Sequence, residues 1–454
     1  MASYSPAVEQ AFDVDKLSYE IFSILESKFL FGYDDTKLFL PGSLPSTPTR
    51  SASYSPTFRV RILSIDGGSR FSDALLAASS LVRLETTLRE RTGDPMARIS
   101  DFFDCAAGSG AGAVLASMLF ARGSTGKSLY SAGEAFTILS REINRHKGLF
   151  HGLFNRSGKS KTFRKMFGEL TLKDAVKPLL VPCYDQATGA PFLFSRADAV
   201  ENAGFNFKLR DVCEATCEES AEVRSLDGRR KILAIGGGIA MGNPTAAAIT
   251  HVLNNKKEFP LAEGVEDLLV VSLGSGEAEH GREKLAGPPT QAEVTRIAAE
   301  GIADMVDQAV ALAFGHSRAT NYIRIQASGS AVDRTDIHRR AVLGLTEKML
   351  SQQNVESILF RGKKISLKTN AEKLDYFAHE LMKEHDRRRT NTGTDDSSSE
   401  TFLPVQDIKE VKVVVPRQSI ASVQSVPSFK DVMIPVVPVK SHSALVGRVI
   451  TSIL

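Results

Sequence analysis

Asp101–Arg122, DFFDCAAGSGAGAVLASMLFAR, reads as a short strand, a sharp turn and a helix. The apolar residues up to Ala107 suit a strand, and Ala113–Phe120 is a run of helix formers. Between them stands Gly108-Ser109-Gly110-Ala111-Gly112. This is the glycine spacing of a nucleophile elbow, G-x-S-x-G, in which a strained strand-to-helix turn exposes its central side chain. Here the central residue is Gly110, which has no side chain.

Two more glycine turns follow apolar strands. Ser64–Arg70, SIDGGSR, closes the strand of Val60, Ile62, Leu63 and Ile65 and precedes a helix that ends near Gly93 and Pro95. Ala234–Pro244, AIGGGIAMGNP, leads into another helix. None of the turns has the G-x-G-x-x-G spacing of a dinucleotide site or the Gly-Lys-Ser/Thr of a phosphate loop. Further apolar segments fall at 179–183, 192–195, 232–235 and 268–273, and LLVPCYDQATGAPFLFS reads as a hairpin. Strands alternating with helices predict an α/β fold: three layers, a mostly parallel sheet with helices on both faces.

The three turns in this order, over 58–280, resemble the patatin-like phospholipase family. In that family the first turn, D-G-G-G-x-R, supplies backbone N–H groups to an oxyanion hole. The second is a G-x-S-x-G elbow, and the third is D-G-G or D-G-A, whose aspartate activates the serine. By this resemblance Gly67, Gly68, Ser69 and Arg70 form the oxyanion motif, in a turn one residue shorter than the fullest pattern. Gly110 stands at the nucleophile position, and Gly236, in Gly236-Gly237-Gly238, at the aspartate position. A G-x-G-x-G box is a mark of the plant type III patatin-like subgroup. The resemblance implies a lipid acyl hydrolase acting on phospholipids and galactolipids, with no cofactor.

Acyl transfer needs a nucleophile, a base and donors for the oxyanion. Backbone N–H groups at Gly67, Gly68 and Ala111 are expected to supply the donors, but a glycine neither attacks nor takes a proton. The candidate substitutes are Ser69, Ser109 and Asp66, each with a plainer reading: a turn serine, a side chain turned aside by the elbow, and a carboxylate capping the glycine turn. Asp227-Gly228 reads as a hairpin turn and Cys105 as core. His146, His151, His251 and His316 lie in no glycine motif. Two functions therefore stand open: a weak or non-standard hydrolase of membrane glycerolipids, and a catalytically inactive relative that binds lipid or regulates its metabolism.

The remaining sequence bounds these choices. The chain has 454 residues, 42% hydrophobic and 24% charged, which is ordinary for a soluble globular protein. A net charge of +3 is too small to argue for nucleic acid. Cys213 and Cys217 lack a second Cys or His pair to complete a zinc site, so no metal is expected and the four cysteines are expected to be buried thiols. No signal peptide and no membrane-length apolar run is read, which predicts a cytoplasmic protein meeting lipid from the water side. Residues 141–167 hold eight Lys/Arg, one acid and the interleaved Phe150, Phe154, Phe163 and Phe167. That mixture suits an anionic membrane surface, and its plainer reading is a solvated basic loop whose phenylalanines pack on the core. The expected division is an N-terminal helix and Ser/Pro-rich linker over 1–57, the patatin-like domain over 58–280, a helical extension over 281–389 and a low-complexity tail over 390–454. Within these, 8–31, 291–315 and 367–388 read as helices.

Overall fold

The computed structural model describes residues 58–68, 70–145, 155–276, 290–327, 339–358 and 362–392. The expected helix at 8–31, the tail after 392 and Ser69 lie outside them. The strands are β1 (Val60–Ile65), β2 (Cys105–Gly108), β3 (Leu179–Asp185), β4 (Ala190–Ser195), β5 (Ala221–Arg224), β6 (Lys231–Gly236), β7 (Leu268–Leu273) and β8 (Tyr322–Ile325). They form one sheet in the order β5-β6-β3-β2-β1-β7-β8, with β4 paired to β3. The central pairs β3–β2, β2–β1, β1–β7 and β7–β8 are parallel, and the pairs on the β5 side are antiparallel.

Period-two alternation divides the strand side chains between two covered faces. Leu63, Ile65, Ala106, Val181, Leu269 and Val271 face one core, shared with helices α1 (Leu75–Thr92), α2 (Gly110–Phe120), α3 (Ala132–Arg145), α4 (Asn155–Phe167) and α5 (Leu209–Cys217). Ile62, Cys105, Ala107, Leu180, Leu268 and Val270 face the other, covered by α6 (Thr245–Asn254) and α7 (Gln291–Phe314). This is the expected α/β fold. The expected hairpin is β3–β4, and Asp227-Gly228 is the turn between the antiparallel β5 and β6. Beyond 280 the described residues carry short strands as well as helices. Strand β8 joins the main sheet beside β7, and α8 (Arg339–Ser351) is followed by an antiparallel pair, β9 (Gln353–Ile358) and β10 (Gly362–Thr369). The last described helix, α9, spans Asn370–Thr392, so residues 367–369 are strand rather than helix.

Charge fastens α9 to the end of the sheet where β1 begins. Asp104, just before β2, accepts from Arg61 and from both terminal nitrogens of Arg388 at 2.9 Å. Burial works against its charge, but Arg61 and then Arg388 outweigh it and hold the carboxyl well below the usual carboxylate range. The unfolded value lies near 3.9. A folded value depressed below it contributes stability that is fully present above about pH 4 and is lost as pH falls through the folded value. The expected contribution is on the order of 2 kcal/mol. Urea unfolding of the full chain between pH 6 and pH 2.5 checks it: Asp104→Asn should be less stable at pH 6 and show a shallower acid slope.

Candidate active site

The three glycine turns converge at the ends of β1, β2 and β6. Asp66 N–H donates to Leu273 O at 2.8 Å, and Ser109 N–H to Ile65 O at 3.1 Å, so the first two turns are stitched to the sheet ends. Their backbones touch: a Cβ added at Gly67 would lie 2.4 Å from Ser109 O, and one at Gly112 would lie 2.4 Å from Asp66 O. Gly238 of the third turn approaches Gly67 O in the same way, at 3.1 Å.

Gly110 opens α2 with φ of +51°, the left-handed conformation of an elbow. Its N–H donates to Thr216 Oγ1 at 2.9 Å, and that hydroxyl donates to Pro182 O at 2.8 Å. Thr216, buried in α5, thus ties the elbow to β3. The space a side chain at 110 would enter is filled by backbone. A Cβ there would lie 2.2 Å from Gly68 O, and Ala111 N–H donates to that same oxygen at 2.8 Å.

Of the three expected oxyanion donors, the Ala111 N–H is engaged by Gly68 O. The N–H after the elbow is already satisfied, and the group aimed at the nucleophile position is a carbonyl oxygen, which repels a developing oxyanion instead of stabilising it. Arg70 turns outward and pairs with Asp73 at 3.1 Å. At the aspartate position, Gly236 N–H donates to Glu218 O at 2.8 Å. A Cβ at Gly236 would face the carbonyl oxygens of Glu218 and Thr216 at 3.0 and 3.1 Å, poor company for a carboxylate.

The candidate substitutes fare as follows. Ser109 is fully buried, and its hydroxyl has no hydrogen-bond partner among the described residues, so no base activates it. Asp66 is buried and engaged: its Oδ2 accepts from Arg324 Nη2 at 2.6 Å. Burial raises the Asp66 carboxyl above its usual range, opposed by the charge and hydrogen bond of Arg324. Burial likewise works against the guanidinium, and Asp66 more than offsets it, so Arg324 stays charged. Asp66 is thus bound to Arg324 beneath the first glycine turn and is not placed as a free base. The four cysteines are buried free thiols, with Cys183 and Cys213 pushed up to about 12 by burial. Asp227 caps its own hairpin turn through Ser225 Oγ at 2.7 Å.

Arg324 extends a polar network that the sequence did not suggest. Ser64, Ser272 and Arg324 are register partners on β1, β7 and β8. Arg324 donates to Ser272 Oγ at 2.7 Å, and Thr245 Oγ1 lies 2.8 Å from Ser64 Oγ and 2.9 Å from Ser272 Oγ. The network underlies the first glycine turn from the face covered by α6 and α7.

Residues 63–249, which contain all three turns, match the family model described as patatin-like phospholipase. Patatin-like protein 3 of Oryza sativa subsp. indica is 51% identical, over 83% of this chain and 92% of its own length. The chain belongs to the patatin-like family. Patatin-like protein 7 of Arabidopsis thaliana is 46% identical, over 84% of this chain and 83% of its own. A third patatin-like relative, named probable inactive patatin-like protein 9 of Arabidopsis thaliana, is 38% identical over 82% of this chain and 93% of its own. The patatin-like frame of strand, elbow and helix is present, with Gly68 O where a side chain at residue 110 would stand. Among the described residues no helix is long and apolar enough to cross a membrane.

Proposed function

We propose that this chain is a non-standard lipid acyl hydrolase of the glycine-elbow, type III kind, directed at membrane phospholipids and galactolipids and forming no acyl-enzyme at residue 110. Membership of a lipolytic family supports the first part. The observation that carries the second is glycine at the centre of a complete patatin-type elbow. With no side chain to accept the acyl group, water is the acyl acceptor. Hydrolysis is then slow, without a burst, because residue 110 offers no nucleophile and the Ala111 N–H is not free to stabilise an oxyanion.

A second reading, a catalytically inactive lipid-binding protein, is favoured by one specific observation: Gly68 O fills the nucleophile's place and takes the Ala111 N–H. Acyl release from mixed phospholipid–galactolipid vesicles by the purified full chain decides between them. The hydrolase reading expects slow release above the buffer rate, linear from the first turnover and unchanged by a serine-directed fluorophosphonate. Release at the buffer rate, with vesicle binding retained, assigns the second reading. A burst, with covalent label on Ser69 or Ser109, overturns both.

A further inference from the structure

Helix α4, NRSGKSKTFRKMF, carries Arg156, Lys159, Lys161, Arg164 and Lys165 and no acid. Its apolar side is spoken for: Phe163, Met166 and Phe167 are buried in the core that α5 shares. Lys161, Arg164 and Lys165, at i, i+3 and i+4, are exposed, and none has an ion-pair partner among the described residues. The contrast with their neighbours is direct, because Lys208 and Arg210, at the start of α5, both pair with Glu169, just beyond the end of α4. Exposed Arg141 on α3 adds a fourth cation with no ion-pair partner among the described residues, next to Glu142, which accepts from Thr162 Oγ1 of α4 at 3.1 Å.

The placement of this face relative to the elbow follows from the packing. Leu209 N–H, at the start of α5, donates to Leu170 O, three residues past the end of α4, at 2.8 Å. The two helices pack on one another, so α4 runs back along α5. The far end of α5 carries Thr216, which holds Gly110 N–H. The basic face therefore flanks the wall whose far end supports the elbow.

We propose that the outward face of α4, with Arg141, is an anionic-bilayer contact that docks the elbow end of the fold against membrane. A row of exposed cations on a helix whose apolar side is seated in the core fits a planar array of anionic headgroups, each cation contributing at short range and all of them screened by salt. The choice of lipid as the occupant rests on the glycerolipid reading above. The contact itself requires no turnover.

The test is co-sedimentation of the full chain with vesicles of ether-linked lipids, which carry no ester to cleave, so a failure of hydrolysis leaves the result untouched. Phosphatidylcholine vesicles are compared with phosphatidylcholine–phosphatidylserine vesicles. Binding is expected to the phosphatidylserine vesicles alone and to fall steeply with salt. Lys161→Gln/Arg164→Gln/Lys165→Gln should weaken it about a hundredfold, from about 1 kcal/mol per basic residue. Arg122→Gln/Lys127→Gln/Lys173→Gln, exposed cations near the start of β3, should bind as the unaltered chain does. Equal binding to both vesicle types, or a triple α4 variant that binds normally, overturns the proposal. Loss of single-stranded RNA binding in the α4 variant, without vesicle binding by the parent chain, also overturns it.

Discussion

Gly110→Ser is expected to destabilise the fold by about 3 kcal/mol and to create no esterase. Two costs combine. A side chain at φ of +51° pays the left-handed penalty of roughly 1–2 kcal/mol. Its Cβ then meets Gly68 O at 2.2 Å, a backbone atom that cannot swing aside as a side-chain tip would. Overpacking of this kind costs typically 1–3 kcal/mol. Gly110→Ala should cost nearly as much, because the Cβ carries most of the conflict. Adding Gly236→Asp places a carboxylate against the carbonyl oxygens of Thr216 and Glu218 and does not rescue the serine. Denaturant melts and acyl release by the single and double variants check this. A Gly110→Ser variant that melts like its parent and turns over lipid would mean that the Gly68 carbonyl is not fixed where it stands.

Arg324→Met should cost about 3–5 kcal/mol, the penalty for leaving one member of a buried ion pair without the other. Asp66 and Arg324 are both nearly inaccessible, with side chains 5% and 6% exposed, and Ser272 is the further acceptor for the guanidinium. Without the cation, the Asp66 carboxylate stays buried beneath the first glycine turn, and burial then raises its pKa unopposed. The penalty is greatest when Asp66 must be ionised and shrinks as pH falls and the carboxyl protonates. Asp66→Asn combined with Arg324→Met should recover much of the loss, since no charge is then left behind. Equilibrium unfolding at pH 8 and pH 5 measures both statements. A single variant as stable as the parent at pH 8 would show that the pair does not hold the turn.

Much of the fold was legible because it is written locally. Apolar runs ending in glycine mark β1, β2 and β6, and helices α1, α2 and α6 follow them, α2 at once and the other two after a longer turn. The hairpin of β3 and β4 announces itself through its polar Asp-Gln-Ala-Thr-Gly connection. Strand β8 was missed because Tyr322-Ile323-Arg324-Ile325 is short and carries an arginine, a residue tolerated there only because Asp66 receives it from 258 positions away. Strand β10 was missed for a related reason: Lys363, Lys364 and Lys368 break any apolar signal, and the pairing with β9 supplies what composition does not. At the site, the missing serine and aspartate could be read from single positions. The closure of the site could not, since it depends on where Gly68 O lies relative to Gly110, and Thr216 gave no sign that its hydroxyl would hold the elbow N–H.

The carbonyl of Gly68 also bears on how such a chain can change. A codon change that returns serine to position 110 meets a backbone already in its way. Lengthening the first turn toward the fuller four-residue pattern, taken alone, leaves glycine at the centre and gains nothing chemical. Against a typical total stability of 5–15 kcal/mol, a first step costing about 3 kcal/mol removes a large share of the margin before any benefit arrives. Neither step is useful without the other, so the glycine elbow behaves as a ratchet: serine chemistry at this elbow requires coordinated change in two segments that lie some forty residues apart in sequence and in contact in space.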